Sequence, residues 1–112
     1  LPERAQGEPE VSGLLANLDF ILTARQAESR EALERRIERH PDDAEARYQL
    51  AASLLLADEL EAALDQLLYL SRHHDSYRHG IARKGMQAVL EMLDTQNEQV
   101  ARYRRELFRL NY

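Results

Sequence analysis

From Val11 onward, apolar residues return every three or four positions, and the interruptions between such stretches are only a few residues long. That period marks one stripe of an α-helix, and short connections force consecutive helices to lie antiparallel. The residue types agree with the spacing. Leu, Ala, Arg and Glu fill 61 of the 112 positions, whereas Val, Ile and Thr fill 8, so strong helix formers dominate and strand formers are scarce. The fold class expected is all-α, with about six helices around the single core that a chain of this length buries.

Residues 1–10 hold two of the three prolines and almost nothing to bury, so they read as a linker remnant ahead of a helical domain over 11–112. A chain opening on Leu1 is expected to be a piece of something longer. Helix one runs from Val11 to about Ala27 with Ser12 as its N-cap, and Leu14, Leu15, Leu18, Ile21 and Leu22 form its stripe. Helix two opens at Ser29 or Glu28, turns Leu33 and Ile37 inward, and stops before Pro41. Asp42 or Asp43 caps a third helix over about Ala44–Ala57, and a fourth follows at Leu60–His73. After a loop, helix five is expected at about Arg78–Leu93, where the small residues Ala82 and Gly85 allow close approach of a neighbour. Helix six spans about Glu98–Leu110, with Val100, Tyr103, Leu107 and Leu110 inward.

One stretch repeats a known helix-pair pattern. Pro41-Asp42-Asp43-Ala44-Glu45-Ala46-Arg47-Tyr48-Gln49-Leu50-Ala51, followed by Glu61-Ala62-Ala63-Leu64, resembles the tetratricopeptide repeat of about 34 residues. Leu50 and Ala51 fill the large/small pair of the first helix, Leu54 its next contact, Ala63 the small residue of the second helix and Leu67 its large one. Small residues at Ala51 and Ala63 let two helices cross closely while the leucines fill the flanking holes. Arg47 stands where the repeat usually has Trp, Asp58 at the turn Gly and Asp75 at the closing Pro. The resemblance implies tetratricopeptide-like antiparallel hairpins stacked as a short right-handed solenoid, with Leu50, Ala51, Leu54, Ala63, Leu64, Leu67, Leu90 and Leu107 in the core.

The tail narrows the resemblance. Gly80-Ile81-Ala82-Arg83-Lys84, Leu90-Glu91-Met92-Leu93 and the closing Tyr103-Arg104-Arg105-Glu106-Leu107-Phe108-Arg109-Leu110-Asn111-Tyr112 look like the C-terminal region of the bacterial chaperedoxins, thioredoxin-like proteins ending in tetratricopeptide repeats. The resemblance implies a cytoplasmic module that holds unfolding client proteins and docks to the chaperonin through its last helix. The chain has no cysteine, so no disulfide or dithiol chemistry belongs to these residues.

The last helix carries independent signs of an interface. Arg102, Arg104, Arg105 and Arg109 against Glu106 leave three positive charges in excess on a chain whose net charge is -5, and Ala101, Arg105, Phe108 and Tyr112 share one face. Arginine with aromatics at helical spacing is the composition of an interface anchor. The protein-binding set expected is therefore Arg104, Arg105, Phe108 and Tyr112, with Arg47 and Tyr48 on the concave side of helix three as a second surface for clients. The competing expectation is that Phe108 and Tyr112 pack beneath the helix as its terminal cap.

Other functions fit less well. His73, His74, Asp75 and His79 cluster in one loop, but neighbouring histidines point apart on a helix and make poor metal ligands; neither metal nor cofactor is expected. Ser71 and Ser76 near His74 and Asp75 lack a nucleophile elbow, and no Gly-rich phosphate cradle occurs, so catalysis is not expected. Net acidity opposes nucleic acid and anionic membrane, leaving RNA binding by the Arg-rich helix a minor alternative. No apolar stretch approaches a membrane span. A purely structural role is the remaining alternative, with a homodimer formed through helix one if upstream repeats once covered Leu14, Leu18, Ile21 and Leu22.

Overall fold

The structure, a computed structural model, describes residues 15–93 and 96–110. The linker remnant, the Ser12 cap, Leu14 and Tyr112 lie outside them. Among the described residues are six α-helices: α1 over 15–26, α2 (Arg30–Arg39), α3 (Ala44–Leu56), α4 (Leu60–His73), α5 (Ile81–Met92) and α6 (Glu98–Arg109). A single 3-10 turn, Tyr77–His79, precedes α5.

Local chemistry sets the boundaries. Ser29 Oγ accepts the Ala32 N–H at 3.2 Å and starts α2, which ends where His40 turns extended (φ −136°, ψ 84°) ahead of Pro41. Asp43, of the two candidate caps, starts α3 by accepting the Ala46 N–H at 2.9 Å. Asn97 Oδ1 accepts the Gln99 N–H at 2.8 Å at the head of α6. In the α3–α4 turn Asp58 has φ 63°, which explains why tetratricopeptide repeats favour Gly there. One boundary differs from expectation. Arg78, His79 and Gly80 take φ of 47°, 59° and 77°, a left-handed run that no α-helix continues, so α5 begins at Ile81 and not at Arg78.

The α3–α4 hairpin is the most extensively packed pair, flanked by α2 on one side and α5 on the other. Leu33, Ala46, Leu50, Leu54 and Ala63 bind α2 to it. A larger cluster joins Tyr48, Ala51, Leu64 and Leu67 to Met86 and Leu90 of α5, to Tyr103 and Leu107 of α6, and to Ala16 and Phe20 of α1. All eight core residues named from the sequence are buried. Tyr103 places its phenol in this core and donates to Asp65 Oδ1 at 2.6 Å, which ties α6 to α4. Burial and then the Asp65 carboxylate push that phenol's pKa well above its usual value.

Asp43 both caps α3 and receives Arg36, whose Nη2 lies 3.0 Å from Oδ2. Asp43→Ala is expected to lower stability by about 1–2 kcal/mol in urea unfolding at neutral pH. The Ala46 N–H foremost, helped by Arg36, holds the Asp43 carboxyl below the usual carboxylate range. As pH falls, the unfolded chain therefore takes up the proton first, near pH ~4. The wild-type advantage is whole above that point and is lost as pH falls through the folded value, so the two unfolding curves converge in acid.

Candidate functional site

α6 is strongly two-sided. Val100, Tyr103 and Leu107 are buried, and the opposite side carries Arg102, Arg105, Phe108 and Arg109 to the surface. Phe108 is 61% exposed, so it does not pack beneath the helix as a terminal cap. Arg104, one turn earlier, is half-buried and donates from Nη2 to the Leu90 carbonyl of α5. Arg104 and Phe108 together edge a cleft of about 180 Å³ between α5 and α6, floored by Leu90 and Leu107 and bordered by Gln87 and Glu91. An aromatic face, an apolar floor and a guanidinium thus meet in one place.

Arg105 lies round the helix with Ala101 and Arg102, beside a shallow depression of about 370 Å³. Three of the five other charged residues of α6 are engaged in ion pairs: Arg102 approaches Glu61 at 3.7 Å, Arg109 meets Glu106 at 3.2 Å, and Glu106 also receives Arg72. Arg105 has no ion pair among the described residues, which leaves its charge directed at solvent.

The second expected surface is corrected by the structure. Tyr48 is wholly buried, its ring 5.5 Å from Phe20 and 5.8 Å from Tyr77 between centroids, and its hydroxyl donates to Asp19 of α1. With α1 in place over that side of α3, a ring so enclosed presents nothing to a client. Arg47 is also committed within the domain: its guanidinium lies 3.5 Å from the Tyr69 ring centroid, Nε donates to the Pro41 carbonyl at 2.7 Å and Nη1 to Gln66 at 3.0 Å. It fills the place of the repeat's Trp by stacking a cation on α4.

The loop histidines disperse. His73 stacks on Tyr69 at 4.5 Å and His74 approaches Asp42 at 3.6 Å; no group of three His, Asp or Glu side chains converges on a metal position among the described residues. None of the described helices is long and apolar enough to cross a membrane.

Sequence reasoning missed the residues with which α1 covers α3. Phe20 is 3% exposed and its ring lies on Gly85 of α5, while Asp19 receives both Tyr48 and, at 3.0 Å, Arg78 Nη2. The available signal was Ala16, Phe20 and Ala24 at four-residue spacing, a stripe outweighed by the leucines beside it.

No curated protein and no solved structure matches the chain. The family described as the tetratricopeptide repeat matches it over residues 23–112, which takes in α2 to α6 and the end of α1. With its small-residue hairpin crossing and left-handed α3–α4 turn, the chain belongs to the tetratricopeptide repeat family, an architecture that serves as a protein–protein interaction module.

Proposed function

We propose that this domain docks a protein partner on α6, through Arg104, Arg105 and Phe108 together with Tyr112, which lies outside the described residues. The observation that carries the reading is Phe108, a large aromatic left 61% exposed on the rim of a cleft with an apolar floor that Arg104 also lines. An aromatic anchor beside arginine, ringed by polar residues, is the composition that concentrates binding energy at interfaces. The resemblance of the tail to the chaperedoxins makes the chaperonin the partner to test, with this domain as the docking part of a thioredoxin-like chaperone that holds cytoplasmic clients.

Co-elution of the chain with the chaperonin on size exclusion tests this. The intact chain is expected to co-elute at tens of micromolar, and Phe108→Ala with Arg105→Ala to weaken binding at least about tenfold, a loss of the size one anchor side chain supplies. Circular dichroism and urea unfolding check that the double variant keeps its fold. Failure of the intact chain to co-elute at that concentration would sink the chaperonin reading. A second reading, self-association through the outer side of α1, draws on the exposure of Leu15, Leu18 and Leu22. Light scattering of the chain alone would then show a dimer that Leu18→Glu with Leu22→Glu dissolves.

A further inference from the structure

α1 lies against both α3 and α5. Asn17, Phe20 and Ile21 sit beside Leu55, Leu56, Val89 and Met92 at the ends of α3 and α5, and Thr23 and Gln26 sit beside Glu45 and Gln49 at the start of α3. α1 therefore runs antiparallel to both helices. α3 and α5 make little direct backbone approach to one another, so α1 fills the channel between them. The tetratricopeptide match begins at Thr23, and Ala16, Asp19 and Phe20, which seat α1, all precede it.

The seat has three chemical parts. Phe20 lies on the bare backbone of Gly85, where any Cβ would overlap its ring. The Asp19 carboxylate meets a hydroxyl from Tyr48 and a guanidinium from Arg78. Beside Asn17 the described residues leave an apolar cavity of about 350 Å³, lined by Leu55, Val89 and Leu93 and rimmed by Leu56 and the 75% exposed Met92. Ala27–Ser29 is the short non-helical link to α2.

We propose that α1 is the resident occupant of a helix-binding groove, displaced by an amphipathic helix of another protein. That helix carries a small residue, a carboxylate and an aromatic at the spacing of Ala16, Asp19 and Phe20, and a large apolar side chain where α1 has Asn17. Its carboxylate complements Tyr48 and Arg78, its aromatic takes the Gly85 slot, and its extra apolar group fills the cavity that α1 leaves. Tethering gives α1 an effective concentration of about millimolar, so a competitor needs that additional burial to win. The inference rests on the chain being a protein-binding module but not on the α6 surface, and Phe108→Ala should leave it untouched.

The probe is a fluorescent, end-blocked peptide of residues 15–27 with Asn17→Leu, titrated into the full chain and read by anisotropy. Phe20→Ala in the chain vacates the groove and is expected to tighten binding at least about tenfold over wild type, because the competent fraction rises. Asp19→Ala, which spares every buried apolar side chain, should tighten it in the same direction and carries the test if Phe20→Ala fails to fold. The peptide with Asn retained should bind about tenfold more weakly than the Leu form. The peptide lacking its Phe should not bind, nor should any peptide bind a chain combining Phe20→Ala with Gly85→Leu. Equal affinity for wild-type and opened chains, or indifference to Gly85→Leu, would overturn the proposal. So would opened chains that exchange α1 into dimers by light scattering and take up no peptide.

Discussion

Replacing Tyr48 with alanine is expected to lower the stability of the domain by about 3–5 kcal/mol, the range for truncating a buried aromatic. The ring is wholly buried and wedged between Phe20 of α1 and Tyr77 of the 3-10 turn, at 39° and 61° to their planes, with the Arg78 guanidinium 5.3 Å from its centroid. Its removal opens a cavity at the junction of α1, α3 and the α4–α5 connection, and none of these can collapse inward without breaking helix packing. Tyr48→Phe separates the two contributions. It keeps the ring and deletes only the hydroxyl donated to Asp19, whose carboxylate still has Arg78, so a loss of about 0.5–1.5 kcal/mol follows. Burial foremost, then the Asp19 carboxylate, pushes the Tyr48 phenol far above its usual pKa. The unfolded phenol ionises near pH ~10, so this stabilisation is whole below that pH and is lost as pH rises beyond it, an alkaline loss that Tyr48→Phe reduces. Urea unfolding followed by circular dichroism reads all three effects. A cost below about 1 kcal/mol for Tyr48→Ala would mean that the ring is not enclosed.

That enclosure is also where sequence reasoning reaches its limit. The α3–α4 hairpin was legible because its buried positions are Leu and Ala at three- and four-residue spacing between a capping Asp43 and a turn at Asp58, so propensity, period and punctuation agree. The cap at Ser29 and the stop at Pro41 were legible for the same reason. In α1 they disagree. The helix carries large apolar residues on its outer side at Leu15, Leu18 and Leu22, while its inward line is the buried Ala16 and Phe20 with the partly buried Ala24. A period weighted by side-chain size selects the wrong line. Gly85 announced a close approach, but nothing local says that the approaching group comes from a helix some sixty-five positions earlier in the chain. Tyr48 failed as a surface residue on the same account, since its position in the hairpin was correct and its cover was not foreseeable from the hairpin. The α6 face was the easier problem: the periodicity of Val100, Tyr103 and Leu107 leaves Arg105 and Phe108 outward.

The contact between Phe20 and Gly85 predicts a change of sign. In an exposed helix interior, Gly→Ala stabilises by up to about 1 kcal/mol, because alanine loses less backbone freedom on folding. At Gly85 the added Cβ would lie 2.6 Å from Phe20 Cε2 and closer still to Cζ, and the ring, only 3% exposed, has no free space to retreat into. Overpacking of this kind costs about 1–3 kcal/mol, so Gly85→Ala in the wild-type chain is expected to be destabilising on balance. Phe20→Ala alone costs about 3–5 kcal/mol if α1 stays docked, and less if α1 swings away and lets the channel hydrate. With Phe20 already alanine the obstruction is gone and only the propensity gain remains, so Gly85→Ala should then stabilise. A double-mutant cycle in urea reads the coupling directly, at about 1–3 kcal/mol. If Gly85→Ala has the same effect in both backgrounds, the ring does not lie on that glycine, and both the close packing of α1 on α5 and the groove that depends on it fall together. If the sign reverses, the glycine is present because α1 needs its ring there, and α2 to α6 have an aromatic slot that their own helix occupies.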